Sequence, residues 1–269
     1  MAILALHSAA SGMKALDTAL DVTANNLANV NTVGFKSSRV NFEDLLYQVR
    51  REPGVLNAEQ EPIPHGIQVG LGVAVSGTQL NFEHGSVEPT TNPLDLMIDG
   101  QGFFQVTTIQ DGDPITAYTR AGNFTTNREG TLVLGTTEGP VLDPQLQIPS
   151  DTIDIQVTAD GQVMGRQPGA PTLTAFGQME LARFVNPEGL RQIGQNLYAE
   201  TEASGTPVTG PPQQDGLGSV KSNFLEMSNV DPVRELVALI RTQRAFELNS
   251  QSIQSANQAL QVVTNMARR

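Results

Sequence analysis

Apolar residues recur every seven positions at both ends of this chain. Leu6, Met13, Leu20 and Leu27 form one row, with Ala9, Leu16, Thr23 and Val30 interleaved. At the other end Leu239, Phe246, Ile253 and Leu260 keep the same interval, with Leu236, Gln243, Ser250 and Asn257 between them. A seven-residue repeat sustained over about four repeats predicts a helix that offers a narrow seam to partner helices. The second helix has a marked start, because Asp231 is a good N-cap, Pro232 suits the first helical position and Glu235 favours the positive dipole end. Arg268 and Arg269 stand at its far end, where cations help. Spanning 231–267, it would be roughly 55 Å long at about 1.5 Å per residue. Two such helices folded back on a β core would be the plainer alternative. Polar Gln243, Ser250 and Asn257 at seam positions favour instead a seam that specifies register and partner.

Between the ends the pattern shortens. From about residue 67 to 200, short β-type runs such as "LDLMIDGQGFFQVTT" and "YTRAGNFTTNREGTLVLG" are split by Asp99-Gly100, Glu129-Gly130, Asp160-Gly161 and Glu188-Gly189. Closely spaced runs with such turn pairs predict hairpins in an antiparallel β domain. The Pro/Gly/Ser-rich stretch 201–219 reads as a linker. The fold class expected is α+β, a mainly β core with long terminal helices paired as a coiled coil. The division expected is a helical part (1–33 with 229–269), a connecting part (34–75 with 201–228) and an outer β domain (76–200).

The first helix ends in "ANNLANVNTVGFK". Leu27 and Val30 continue the seam, while the amides of Asn25, Asn26 and Asn29 are expected to reach partners on neighbouring helices and fix register. Asn31 suits a chain leaving the helix, Gly34 an open or left-handed backbone, and Phe35 an anchor for the exit.

Composition narrows the function classes. A net charge of −12 opposes an electrostatic grip on nucleic acid or anionic membrane. Aromatics are 5% and Trp is absent, which removes a base- or sugar-stacking surface. With no Cys there are no disulfides, thiolate metal sites or Cys nucleophiles. Residues 1–30 carry −1 and 231–269 carry +2, leaving −13 on 31–230; near-neutral helices can pack against copies of themselves. The N-terminus lacks a basic region followed by a continuous apolar core, so no Sec-type signal peptide is expected. His7, His65 and His84 supply no ligand spacing, "GLGVAVSG" is no phosphate cradle, and "DGD" is cut short by Pro114. No catalytic residue, metal or cofactor is expected.

The terminal stretches "SGMKALDTALDVTANNLANVNTVGFK" and "SNVDPVRELVALIRTQRAFELNSQSIQSANQAL" resemble the two terminal motifs of the bacterial flagellar rod and hook proteins, the axial family. "LDLMIDGQGFFQV", "YTRAGNFTTNREGTLV" and "LARFVNPEGLRQIGQNLYAETEASGTP" look like its central segments in the same order. "FEDLLYQVRREPG" with "GIQVGLGV" resembles the extra segment of a rod branch. The resemblance implies a helical homopolymer that transmits torque through the periplasm. Its inner tube would be built by Leu6, Met13, Leu16, Leu20, Asn25, Asn26, Leu27, Asn29 and Val30 with Leu236, Leu239, Gln243, Arg244, Phe246, Asn249, Ile253, Asn257 and Leu260. It further implies proximal-rod proteins, hook protein, P-ring and L-ring proteins and the flagellar type III export apparatus as partners, with no membrane insertion. The resemblance, together with composition, implies that residues 41–75 stiffen the shaft. There Pro53, Pro62 and Pro64 restrict the backbone, while Phe42, Leu45, Leu46 and Tyr47 offer apolar anchors.

Overall fold

The computed structural model describes residues 2–54, 64–110, 112–169 and 172–267; Pro62, Arg268 and Arg269 lie outside them. The chain divides into two units, one of Met1–Ala28, Ser38–Leu80 and Asp231–Arg269, the other of Asn29–Ser37 and Asn81–Val230.

The first unit holds helices α1 (Ala2–Ala28) and α2 (Pro232–Ala267), which pack along each other. It also holds strands β1 (Ser38–Asp44), β2 (Tyr47–Arg51), β3 (Ile67–Gly70) and β4 (Val73–Leu80). β1 pairs with β4 and β2 with β3, all antiparallel. Leu45 N–H donates to Gly72 O (2.9 Å) and Leu71 N–H to Leu46 O (3.1 Å), so the two pairs run on as one ribbon. The base of the ribbon is pinned to α1, where Val73 N–H donates to Ser11 Oγ (3.3 Å).

Among the described residues the second unit is built of β-strands and loops, with a 3-10 turn at Pro187–Gly189. Its strands are β5 (Val87–Pro89), β6 (Leu96–Asp99), β7 (Phe103–Gln110), β8 (Asp113–Thr119), β9 (Phe124–Thr126), β10 (Leu132–Leu134) and β11 (Val141–Leu142). They continue with β12 (Asp154–Val157), β13 (Gln162–Arg166), β14 (Thr174–Gln178), β15 (Leu181–Arg183), β16 (Arg191–Gly194) and β17 (Leu197–Ala199). β18 (Val208–Gly210), β19 (Ser219–Ser222) and β20 (Phe224–Glu226) complete the set. One sheet runs in the order β16-β17-β8-β7-β11-β10-β9, with β15 bridging β7 and β18. Every pairing is antiparallel, as the turn dipeptides predicted. The strand alternation places Phe103 and Phe104 on opposite faces of β7. Phe104 meets Phe124 edge-on (5.1 Å) in a core with Leu96, Ile98, Val106 and Leu132. Phe103 meets Phe82 (5.3 Å) and Phe184 (5.9 Å) edge-on in a second aromatic group.

The stretch 201–219, read from sequence as a linker, contributes β18 and the start of β19. Val208–Gly210 is too short and too mixed for a period-two pattern to show, and it is the pairing with β15 that makes it a strand.

Candidate functional site: the terminal helices and the buried junction

α2 begins as its sequence predicts. Asp231 Oδ1 accepts from the N–H groups of Val233 (3.0 Å) and Arg234 (3.3 Å), capping the first turn. Its half-buried positions are Glu235, Ala238, Leu239, Thr242, Ala245, Phe246, Asn249, Ser250, Ile253, Ala256 and Leu260. Leu239, Phe246, Ile253 and Leu260 therefore stand where the heptad placed them. The interleaved row is mixed: Ser250 is half-buried, while Leu236, Gln243 and Asn257 are exposed, as is Arg244, and Thr242, Asn249 and Ala256 are half-buried one position earlier. Small residues allow close approach, and a methyl added at Gly12 of α1 would stand 3.1 Å from Asn249 Nδ2. On α1, Leu6, Met13, Leu16, Leu20 and Leu27 are half-buried, and Ala15 is buried.

Asn26 finds its partners within the chain. It is only 3% exposed. Its Nδ2 donates to Ser38 O (2.8 Å) and its Oδ1 accepts from Ser38 N–H (3.0 Å), a paired grip on one peptide unit. The same Nδ2 reaches Glu235 Oε1 on α2 at 3.4 Å. The amide thus ties helix, ribbon and second helix inside one chain, leaving little of it for a neighbouring copy. Burial, the largest effect, and the nearby Asp231 carboxylate raise the Glu235 carboxyl, outweighing the opposing Asn26 hydrogen bond. Asn25 is exposed, Asn29 accepts from Thr32 Oγ1 (3.1 Å), and Val30 is half-buried.

In the second unit, residues 29–37 are built into the β structure. Gly34 has φ +69°, and its N–H donates to Glu226 O (2.7 Å). An added Cβ there would strike the backbone of Ala121, so both the conformation and the space call for glycine. Asn31 is exposed, whereas Phe35 is buried. Next to Phe35, Lys36 is wholly buried. Its Nζ donates to Glu226 Oε1 (2.6 Å) and Glu83 O (2.7 Å). Glu226, also with no exposed side-chain surface, meets Arg120 Nη1 at 3.4 Å through Oε2, and its Oε1 accepts from Gly85 N–H (3.1 Å). Arg120 Nη2 donates to Gly100 O (2.9 Å), and its guanidinium lies 5.3 Å over the Phe103 ring. Burial alone would raise the Glu226 carboxyl, but Arg120 and Lys36 outweigh it and hold it below the usual range. Burial lowers both Lys36 and Arg120.

A ring of hydrogen bonds lies beside these charges. Ser37 N–H donates to Asn229 Oδ1 (2.8 Å), Asn229 Nδ2 to Asn81 O (2.9 Å), and Asn81 N–H to Ser37 O (2.8 Å). Nothing in the sequence singles out Lys36, Arg120, Glu226 or Asn229, because a lone polar residue carries no periodicity. Of the segment expected to stiffen the shaft, Phe42 (48%), Leu46 (82%) and Tyr47 (54%) are exposed on the ribbon, as is Pro53, while Leu45 is half-buried.

Three family descriptions match: "Flagella basal body rod protein" over 6–36, "Flagellar hook protein FlgE/F/G D1 domain" over 97–165, and "Flagellar basal body rod FlgEFG protein C-terminal" over 221–266. The chain is 45% identical over 261 residues to the flagellar basal-body rod protein FlgG of Agrobacterium fabrum, covering 97% of this chain and 98% of the relative. Two paralogues of Caulobacter vibrioides separate cleanly. Its FlgG is 42% identical over 263 residues (97% and 98% covered), its FlgF 34% over 251 (90% and 89%). The chain belongs to the flagellar rod and hook family, whose members are structural subunits rather than enzymes. Within that family the full-length relatives it matches at 42% and 45% identity are FlgG rod proteins of the flagellar basal body.

Proposed function

We propose that the chain polymerises helically into the distal rod, the periplasmic shaft that carries torque from motor to hook. One observation carries this reading. Val233, Val237, Ile240, Leu248, Val262 and Met266 are all exposed, between 42% and 73%. At roughly 100° per residue they fall on the side of α2 opposite Leu239, Phe246, Ile253 and Leu260. A helix with a second apolar face, beyond the one against α1, is built for helices of other copies. Each such side chain contributes roughly 1.5–3 kcal/mol when fully buried.

In that polymer the terminal helices, 1–33 and 229–269, pair as a coiled coil and form the inner tube. The exposed ribbon residues Phe42, Leu46 and Tyr47 anchor neighbouring copies and stiffen the shaft. Proximal-rod and hook proteins adjoin it at its two ends, the P and L rings surround it, and the type III apparatus exports it. Ile240→Asp tests the reading. The expected result is unchanged helix content by circular dichroism in the unassembled chain, with loss of rods in electron micrographs. Rods of ordinary length from that variant would overturn it.

A further inference from the structure

In the second unit a cleft of about 320 Å³ opens beside the aromatic group. Phe82, Phe103 and Phe184 wall it, and Arg120, Arg183 and His84 bring the polar atoms. Arg183 is half-buried, yet its guanidinium has no hydrogen bond or ion pair among the described residues. Arg120 is only 4% exposed, and its Nε is a buried donor left without a partner. A buried N–H without an acceptor costs about 1–3 kcal/mol, and an unpaired guanidinium against aromatic rings is a ready carboxylate fork. Glu83 is the acidic side chain at this cleft, and its Oε2 already accepts from Asn81 Nδ2 (3.1 Å). At the mouth stands Val185, 87% exposed, more than any other large apolar side chain described.

We infer that this cleft receives an Asp or Glu side chain, with the apolar flank of its segment covering Val185, from a second copy of the chain. The inference rests on the polymer reading above, and it names a contact which that reading does not contain. Charge chooses the occupant. Residues 31–230 carry −13, so a neighbouring copy presents mainly carboxylates to whatever it meets; at the cleft Arg120 and His84 already face the buried Glu226 carboxylate at 3.4 and 3.5 Å, which leaves the Arg183 guanidinium as the cation without an acceptor among the described residues. A walled cleft also selects: aromatic edges exclude water from the ion pair, which strengthens it relative to one on open surface.

The test places photo-reactive benzoylphenylalanine at Val185 in the full-length chain and irradiates assembled rods. The expected product joins two copies, with the far end on a peptide bearing Asp or Glu within a few residues of the attachment. In a second arm, Arg183→Glu should lower both this product and rod yield by at least about tenfold, while Arg183→Lys retains most of both. Near-UV circular dichroism of each variant establishes that the β unit is folded. Rods that give no product between copies, a product only with a different protein, or Arg183→Glu rods at ordinary yield would each overturn the inference and leave the polymer reading standing. If the unaltered chain forms no rods, the polymer reading falls and takes this contact with it.

Discussion

Removing the Glu226 carboxylate is the sharpest perturbation the structure offers. Lys36 and Glu226 have no exposed side-chain surface, and Arg120 has 4%. Glu226→Ala leaves Lys36 Nζ with Glu83 O alone, strips Arg120 of its counter-charge and orphans Gly85 N–H. Breaking a buried pair from one side typically costs about 3–5 kcal/mol, because the remaining charge stays desolvated. The internal control is Asp154→Ala, which breaks the Arg166–Asp154 pair at 2.9 Å; both of its side chains are more than half exposed. That control should cost at most about 1 kcal/mol. Urea unfolding of the full chain, followed by near-UV circular dichroism, reads the right unit, because Tyr118 and Tyr198 are both buried in it. With m near 2–3 kcal/mol/M, the Glu226→Ala midpoint should fall by about 1–2.5 M at unchanged m. A shift no larger than that of Asp154→Ala would refute the argument that these charges hold the junction.

Other outcomes follow from the same geometry. Because the folded Glu226 carboxyl is held below its ordinary value of 4.5, its stabilisation is present above that value and lost as pH falls through the folded one. Glu226→Gln should therefore flatten the acid limb of stability against pH, and an unchanged limb would count against the assignment. Gly34→Ala combines a left-handed backbone at φ +69° with overlap on Ala121, costing more than about 2 kcal/mol. The melting temperature should drop by about 4–8 °C, and a drop under about 2 °C would show that the turn relaxes freely. Asn26→Leu unpairs both backbone groups of Ser38, at about 1–3 kcal/mol each. It should lower the melting temperature of the unassembled chain, and a defect confined to polymerisation would favour the register role instead.

The terminal helices were legible because periodicity is a property of the chain itself. The row Leu239, Phe246, Ile253 and Leu260 falls where seven-residue spacing puts it. The companion row was less legible, because three-then-four and four-then-three spacings fit the same repeat. At the centre both Asn249 and Ser250 are half-buried, with Asn249 against Gly12. Antiparallel hairpins were legible from turn dipeptides. The junction was not, because Lys36 and Glu226 are 190 residues apart and Arg120 and Glu226 are 106 apart. Nothing local marks a lysine that will be buried. Gly34 came nearest to a signal, since a glycine-aromatic step after a helix asks for an unusual backbone, and the charge two residues on is what that turn delivers.

The hydrogen-bonded ring of Ser37, Asn81 and Asn229 has a mechanical meaning. Three stretches of the second unit that lie far apart in sequence, around Ser37, Asn81 and Asn229, meet in one closed circuit of hydrogen bonds. A load entering through any one of them is shared with the other two, so no single bond must fail before its companions take up part of the strain.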